Sequence, residues 1–249
     1  MANRQTTGAR MTKGERRTQA RLERAALQRK MARAKRTRRI GLVVAVVAVA
    51  AVVVFLVLRP GPTIATPAEL LRRAPDAIAA AGCGDVTDVG AYDPRTEDQT
   101  HISDPSEMPP LSSYPSVPPA SGPHNEVTLG AGVYDTPPSI DRVIHSLEHG
   151  AVVVWYSPDA EGEQLDAVRE FFSGPQGNRV IVAPYDYAAE GDAGRLPAGT
   201  TMSLVAWHHV QGCADVSLPA AFEFASRYGA PPFGQRQYEG EAPEAGAAF

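Results

Sequence analysis

The residues best equipped for chemistry in this 249-residue chain are its six histidines, His101, His124, His145, His149, His208 and His209. His145 and His149 stand four apart, so on a helix both imidazoles share one face, where two nitrogens can grip one metal ion. The string His145-Ser146-Leu147-Glu148-His149 also fits H-x-x-E-H, the inverted zinc-peptidase pattern, with Glu148 as general base. Gly150 would end such a helix directly after the second histidine, whereas those enzymes carry the motif on a long helix. The plainer alternative is that His145 and Glu148 or His149 finish the helix and bind its last carbonyls. His208 and His209 are adjacent, so on a strand they face opposite ways and at most one joins any cluster. Met108 and Met202 are thioethers that suit Cu(I), although Met202 sits in an apolar strand that needs it as core. No G-x-S-x-G, phosphate-cradling glycine loop or dinucleotide fingerprint is found.

The elements that must carry these residues read as α+β. The signals predict a small mixed β-sheet, flanking helices and a long Pro-rich loop. Thr66, Pro67 and Glu69 form a capping-box pattern that starts a helix ending at Gly82. Residues 85–92 read as a short strand. Nine of the 22 prolines fall in 105–138, which reads as an ordered loop wrapped over a core. Ser139 is expected to cap a helix over 140–149 closed by Gly150. Strands are expected over 151–156, 179–183 and 201–207. An amphipathic helix is expected over 159–172, with Leu165, Val168, Phe171 and Phe172 inward. Ser217 is expected to cap a last helix over 218–228.

The net charge of −4 averages two opposite regions. Residues 1–39 hold 14 Lys and Arg against 2 Asp and Glu, a balance of +12; the rest hold 10 against 26, a balance of −16. Between them residues 40–58 are apolar without a break, long enough as a helix to span a bilayer of about 30 Å. Arg36, Arg38 and Arg39 flank the start, so the positive-inside rule predicts a single-pass cell-membrane protein with a cytoplasmic N-terminus. A cleaved signal peptide is the competing reading. The expected layout is a basic cytoplasmic tail (1–39), a transmembrane helix (40–58), a linker (59–66), an extracytoplasmic domain (67–232) and a flexible acidic tail (233–249). Membrane lipid is the partner expected for residues 40–58 and the basic tail. No nucleic acid is expected for the acidic, lysine-free domain.

Cys83 and Cys213 would both lie on the exported side, where a disulfide is the default. The alternative, a metal or redox pair, lacks C-x-x-C spacing. The bond would close a loop of about 130 residues, for which chain entropy gives roughly 5 kcal/mol as an upper figure.

Two segments are more specific together than apart. Pro118-Pro119-Ala120-Ser121-Gly122-Pro123-His124 precedes Gly132-Val133-Tyr134, and then comes the segment from Val143 to Tyr156, centred on His145-Ser146-Leu147-Glu148-His149-Gly150. This resembles the family catalogued as domain of unknown function 3105, with hallmarks P-P-x-S-G-P-H and H-x-L-E-H-G-x-V, from about Cys83 to Tyr228. The resemblance implies a bacterial envelope protein with no settled activity. The matching positions are His101, His124, His145, Glu148, His149 and Trp207; His208 and His209 fall outside the pattern.

The sequence therefore points to an extracytoplasmic domain that binds copper or zinc through His101, His124, His145 and His149. Glu148 would be a supporting partner or a general base. A zinc-dependent hydrolase using H-x-x-E-H and a non-catalytic envelope interaction module are the alternatives. No protein partner can be named.

Overall fold

The computed structural model describes residues 65–231 and 236–248, with residues 21, 24, 28–31, 33, 35, 41 and 44–49. The chain divides into two compact units, Met1–Thr63 and Ile64–Phe249. In the first unit the described residues are helical and exposed. Among the described residues no helix is long and apolar enough to cross a membrane. A span takes about 20 consecutive apolar helical residues, and within 40–58 the described ones are 41 and 44–49. This corrects the expected transmembrane helix, and the single-pass cell-membrane placement with a cytoplasmic N-terminus loses its support with it. The remainder of 40–58, most of 1–39 and residues 59–64 lie outside the described residues.

Among the described residues the second unit carries eight strands: β1 (Thr87–Asp88), β2 (His101–Ile102), β3 (His124–Asn125), β4 (Gly132–Val133), β5 (Val152–Tyr156), β6 (Val180–Pro184), β7 (Met202–Ala206) and β8 (His209–Cys213). Its helices are α1 (Pro67–Ala80), α2 (Ile140–Glu148), α3 (Glu163–Ser173) and α4 (Leu218–Tyr228). Six strands form one mixed sheet in the order β1-β8-β7-β5-β6-β4. β1, β8, β7 and β5 are antiparallel neighbours, whereas β5, β6 and β4 run parallel. β2 and β3 make a separate parallel pair that sets His101 opposite His124.

The sheet is buried on both faces, which is why its central strands are apolar without alternation. Val152, Val154 and Tyr156 of β5 enter one core; Val153 and Trp155 enter the other. The first core lies under α1, α3 and α4, with Leu70, Phe172 and Phe222 fully buried. The second takes Val143, Ile144 and Leu147 of α2 together with Leu111, Tyr114 and Ala120 of the Pro-rich segment. That segment is therefore a packed layer, and it brings His124 to the face of α2. Met202 is core, as its strand requires.

Local chemistry sets the element ends. The Thr66 hydroxyl accepts from the Glu69 amide at 3.3 Å, and the Ser217 hydroxyl from the Ala220 amide at 3.4 Å. Ser139 precedes α2 but caps no amide; its hydroxyl donates to the Asp141 carboxylate. α3 begins at Glu163, four residues later than expected, after Gly162 with φ 106°. A disulfide joins Cys83 to Cys213, tying the chain after α1 to the end of β8. β8 follows a two-residue hairpin turn, Trp207-His208, because Ala206 pairs with His209. His208 takes φ 61° there, a role that usually falls to Gly or Asn. Trp207 is fully buried in the second core.

The C-terminal segment also departs from expectation. Residues 236–248 pack back on the domain instead of forming a loose acidic tail. The Glu244 amide donates to Glu148 O at 3.1 Å, and the Gly246 amide to His149 O at 3.2 Å. The Arg179 guanidinium donates to the Gly246 and Ala247 carbonyls, each at 3.0 Å.

Candidate metal centre

α2 supplies two of the groups at the centre. Val143, Ile144 and Leu147 face the core, which fixes the helix roll and turns His145 and Glu148 toward the Pro-rich layer. His149 ends the helix as its C-cap. Gly150 then takes φ +87°, and a Cβ there would stand 2.2 Å from Ala230 Cβ. Only glycine suits this position, since it has both the left-handed backbone and the missing side chain.

The Ser121-Gly122-Pro123-His124 turn is held from several directions. The Gly122 amide donates to Asp98 O at 3.0 Å, and the His124 amide to Thr100 O at 2.9 Å. The Tyr114 hydroxyl donates to Pro123 O at 2.6 Å. Gly122 has φ +119°, and a Cβ there would lie 2.8 Å from the Tyr114 ring. Asp98 is the buried anchor: its carboxylate accepts from the Tyr92 amide, the Ser121 hydroxyl (both 2.7 Å) and His208 Nε2 (2.9 Å). Burial works against the Asp98 charge, but these bonds outweigh it and hold the carboxyl below its usual range. The hydrogen bond to Asp98 raises the His208 pKa against the opposing effect of burial, and Glu241 adds to the rise.

His101, His124, His145 and Glu148 converge, with one donor atom from each lying within 4.8 Å of all the others. His124 Nε2 is 3.0 Å from Glu148 Oε2, His101 Nε2 is 3.5 Å from it and His145 Nε2 is 4.0 Å from it. His101 Nε2 and His145 Nε2 are 3.3 Å apart. The side chains of His124, Glu148 and His145 are buried, while that of His101 is 42% exposed.

Proton placement follows from the neighbours. His124 Nδ1 is 2.7 Å from Gly122 O. A carbonyl only accepts, so Nδ1 carries a hydrogen, and in the neutral ring Nε2 presents its lone pair to Glu148. Burial lowers the His145 pKa to about 4, with the charges of His124, His149 and His101 adding to the effect and Glu148 opposing it. At neutral pH His145 is an uncharged donor. Its Nδ1 is buried and has no hydrogen-bond partner among the described residues, unlike that of His124.

His149 is the expected ligand outside this group, although its ring packs edge-on against His145 with centroids 4.6 Å apart. Its Nε2 faces Glu244 Oε2 at 3.1 Å, and its Nδ1 donates to Ala248 O at 2.8 Å. The C-terminal segment thus engages His149, and Glu148 takes the fourth place in the cluster. The residue spacing gave no sign of this, because the competing partner lies 95 positions further on. His208 and His209 also lie outside the cluster; His209 Nδ1 pairs with Asp88 at 2.8 Å. Of the supporting residues, Ser121 and Gly122 were visible in the motif. Asp98, Tyr114 and Arg179 carried no local signal.

A mixed-sheet domain with three imidazoles and a carboxylate at one point defines the architecture. The family described as Protein of unknown function (DUF3105) matches residues 110–245, more than half of the chain, and the chain belongs to that family. No curated protein and no solved structure matches it.

Proposed function

We propose that the domain binds one transition-metal ion, zinc or copper, through His101, His124, His145 and Glu148. The observation that carries this is donor spacing. With bonds of about 2.1 Å, a tetrahedral ion holds its ligand atoms about 3.4 Å apart. The four separations given above run from 3.0 to 4.0 Å. All six separations lie within 4.8 Å, so closing on an ion draws the wider pairs together.

The His124–Glu148 pair supports the same reading. Two acceptors facing each other at 3.0 Å repel unless a cation or a proton lies between them. The Nδ1–H bond to Gly122 O also fixes the ring orientation and tautomer, as outer hydrogen bonds do for metal-bound histidines. Three nitrogens, one oxygen and no sulfur at near-tetrahedral spacing favour zinc(II) over copper(I).

The hydrolase reading asks for His149 as a ligand and Glu148 as a free base. The contacts of both residues argue against it: Glu148 lies among the donors and His149 is engaged by Glu244 and Ala248.

The test is metal analysis of the purified full chain after loading with zinc or copper and desalting. About one equivalent is expected in the wild type, with a drop of at least about tenfold in affinity for His145→Ala and Glu148→Ala. Binding retained in both variants, or less than about a tenth of an equivalent in the wild type, would contradict the proposal.

A further inference from the structure

The four donors differ in how they are held and in what they face. His124 sits in a turn pinned by Asp98, Thr100 and Tyr114, and its side chain is fully buried. His145 and Glu148 are fixed on α2, with side chains only 8% and 2% exposed. His101 belongs to a two-residue strand and is 42% exposed. Its ring stands edge-on to both His124 and His145, with centroids 4.7 and 4.6 Å away. It is the donor most open to solvent, and the other three side chains are buried.

Resting on the metal reading above, we infer that His101 is the exchangeable ligand, and that the site takes up and gives away its ion at this vertex. Structural sites keep all their ligands closed around the ion, whereas working sites leave one position open or replaceable. Of the four donors His101 is by far the most exposed, so an incoming donor meets it first. Swinging this side chain outward opens the ion and leaves three protein ligands in place. The step is a ligand substitution. The bond from the ion to His101 Nε2 breaks, the imidazole leaves with its lone pair, and a bond to the incoming donor forms with no change of oxidation state. Suitable exchange partners are proteins or small molecules that present imidazole or thiolate donors, since these match the affinities of zinc and copper.

Zinc capture by excess 4-(2-pyridylazo)resorcinol, using the zinc-loaded full chain, tests this. In the wild type the capture rate should rise with chelator concentration, because the chelator attacks the bound ion. His101→Ala should still hold close to one equivalent of zinc and release it more than about tenfold faster. His124→Asn, on a buried ligand, should lose stoichiometric binding. A His101→Ala chain that releases zinc at the wild-type rate overturns the inference. So does one that loses zinc as completely as His124→Asn. A wild type that holds neither zinc nor copper overturns the metal reading itself, and the stoichiometry reports this before any rate is measured.

Discussion

His124 Nε2 lies 3.0 Å from Glu148 Oε2, and both side chains are buried. The other nitrogen of His124 is committed to Gly122 O, so this contact has to be mediated by a metal ion or a proton. Glu148→Gln separates the two cases. In the metal account zinc raises the melting temperature of the wild type, and Glu148→Gln loses that rise because its zinc affinity falls at least about tenfold. If the contact is only a buried ion pair, zinc leaves both melts unchanged and the variant loses about 3–5 kcal/mol of stability. Thermal melts with and without zinc read both effects.

The turn around His124 should be intolerant of any side chain at Gly122. Gly122→Ala places a methyl about 2.8 Å from the Tyr114 ring, in a backbone region that L residues avoid. We expect a loss of about 1–3 kcal/mol in denaturant unfolding, with weakened zinc binding because His124 moves with the turn.

The His208–Asp98 pair sets a pH window. The His208 pKa is raised in the folded protein, so its contribution is complete below the unfolded value and is lost as pH rises through the folded one. The Asp98 pKa is lowered, so its contribution is present above the unfolded value and fades as pH falls through the folded one. Stability from the pair should therefore peak between about pH 4 and pH 6.5, the two unfolded values. In His208→Gln the decline on the alkaline side should be smaller than in wild type, as measured by urea unfolding across pH.

The four helices and the central strands of the sheet are readable from residue order. The α2 helix, its Gly150 stop and the apolar strands β5 to β7 carry local signals that their burial bears out. The hairpin into β8 did not, because His208 occupies the left-handed position where a glycine would have marked a turn. His124, His145 and Glu148 stand in the two motifs, with Glu148 read there as a supporting partner or general base, and His101 is a candidate outside them. The contacts of His149 were not legible, since they depend on Glu244 and Ala248 folding back from the far end of the chain. The apolar stretch 40–58 read as a membrane span on length and hydropathy alone, and among the described residues no helix meets that requirement.

That C-terminal contact makes its own prediction. Arg179 donates to the carbonyls of His149, Gly246 and Ala247, each at 3.0 Å. Arg179→Ala should cost about 1.5–3 kcal/mol and raise hydrogen exchange at the Glu244 and Gly246 amides. Unchanged protection there would mean that the segment is held by other contacts.

Reduction should loosen the tie between α1 and β8. The Cys83–Cys213 bond closes a loop of 130 residues, and removing such a bond typically costs about 2–5 kcal/mol. Cys83→Ser combined with Cys213→Ser should show this loss in chemical unfolding while zinc stoichiometry at the proposed site is kept.

A crystal of the zinc-loaded protein, with data on both sides of the zinc absorption edge, locates the ion by anomalous scattering. One strong peak is expected about 2.0–2.2 Å from the Nε2 atoms of His101, His124 and His145 and from a Glu148 carboxylate oxygen. A peak at the His149–Glu244 pair, or no peak within bonding distance of His124 and Glu148, would contradict it.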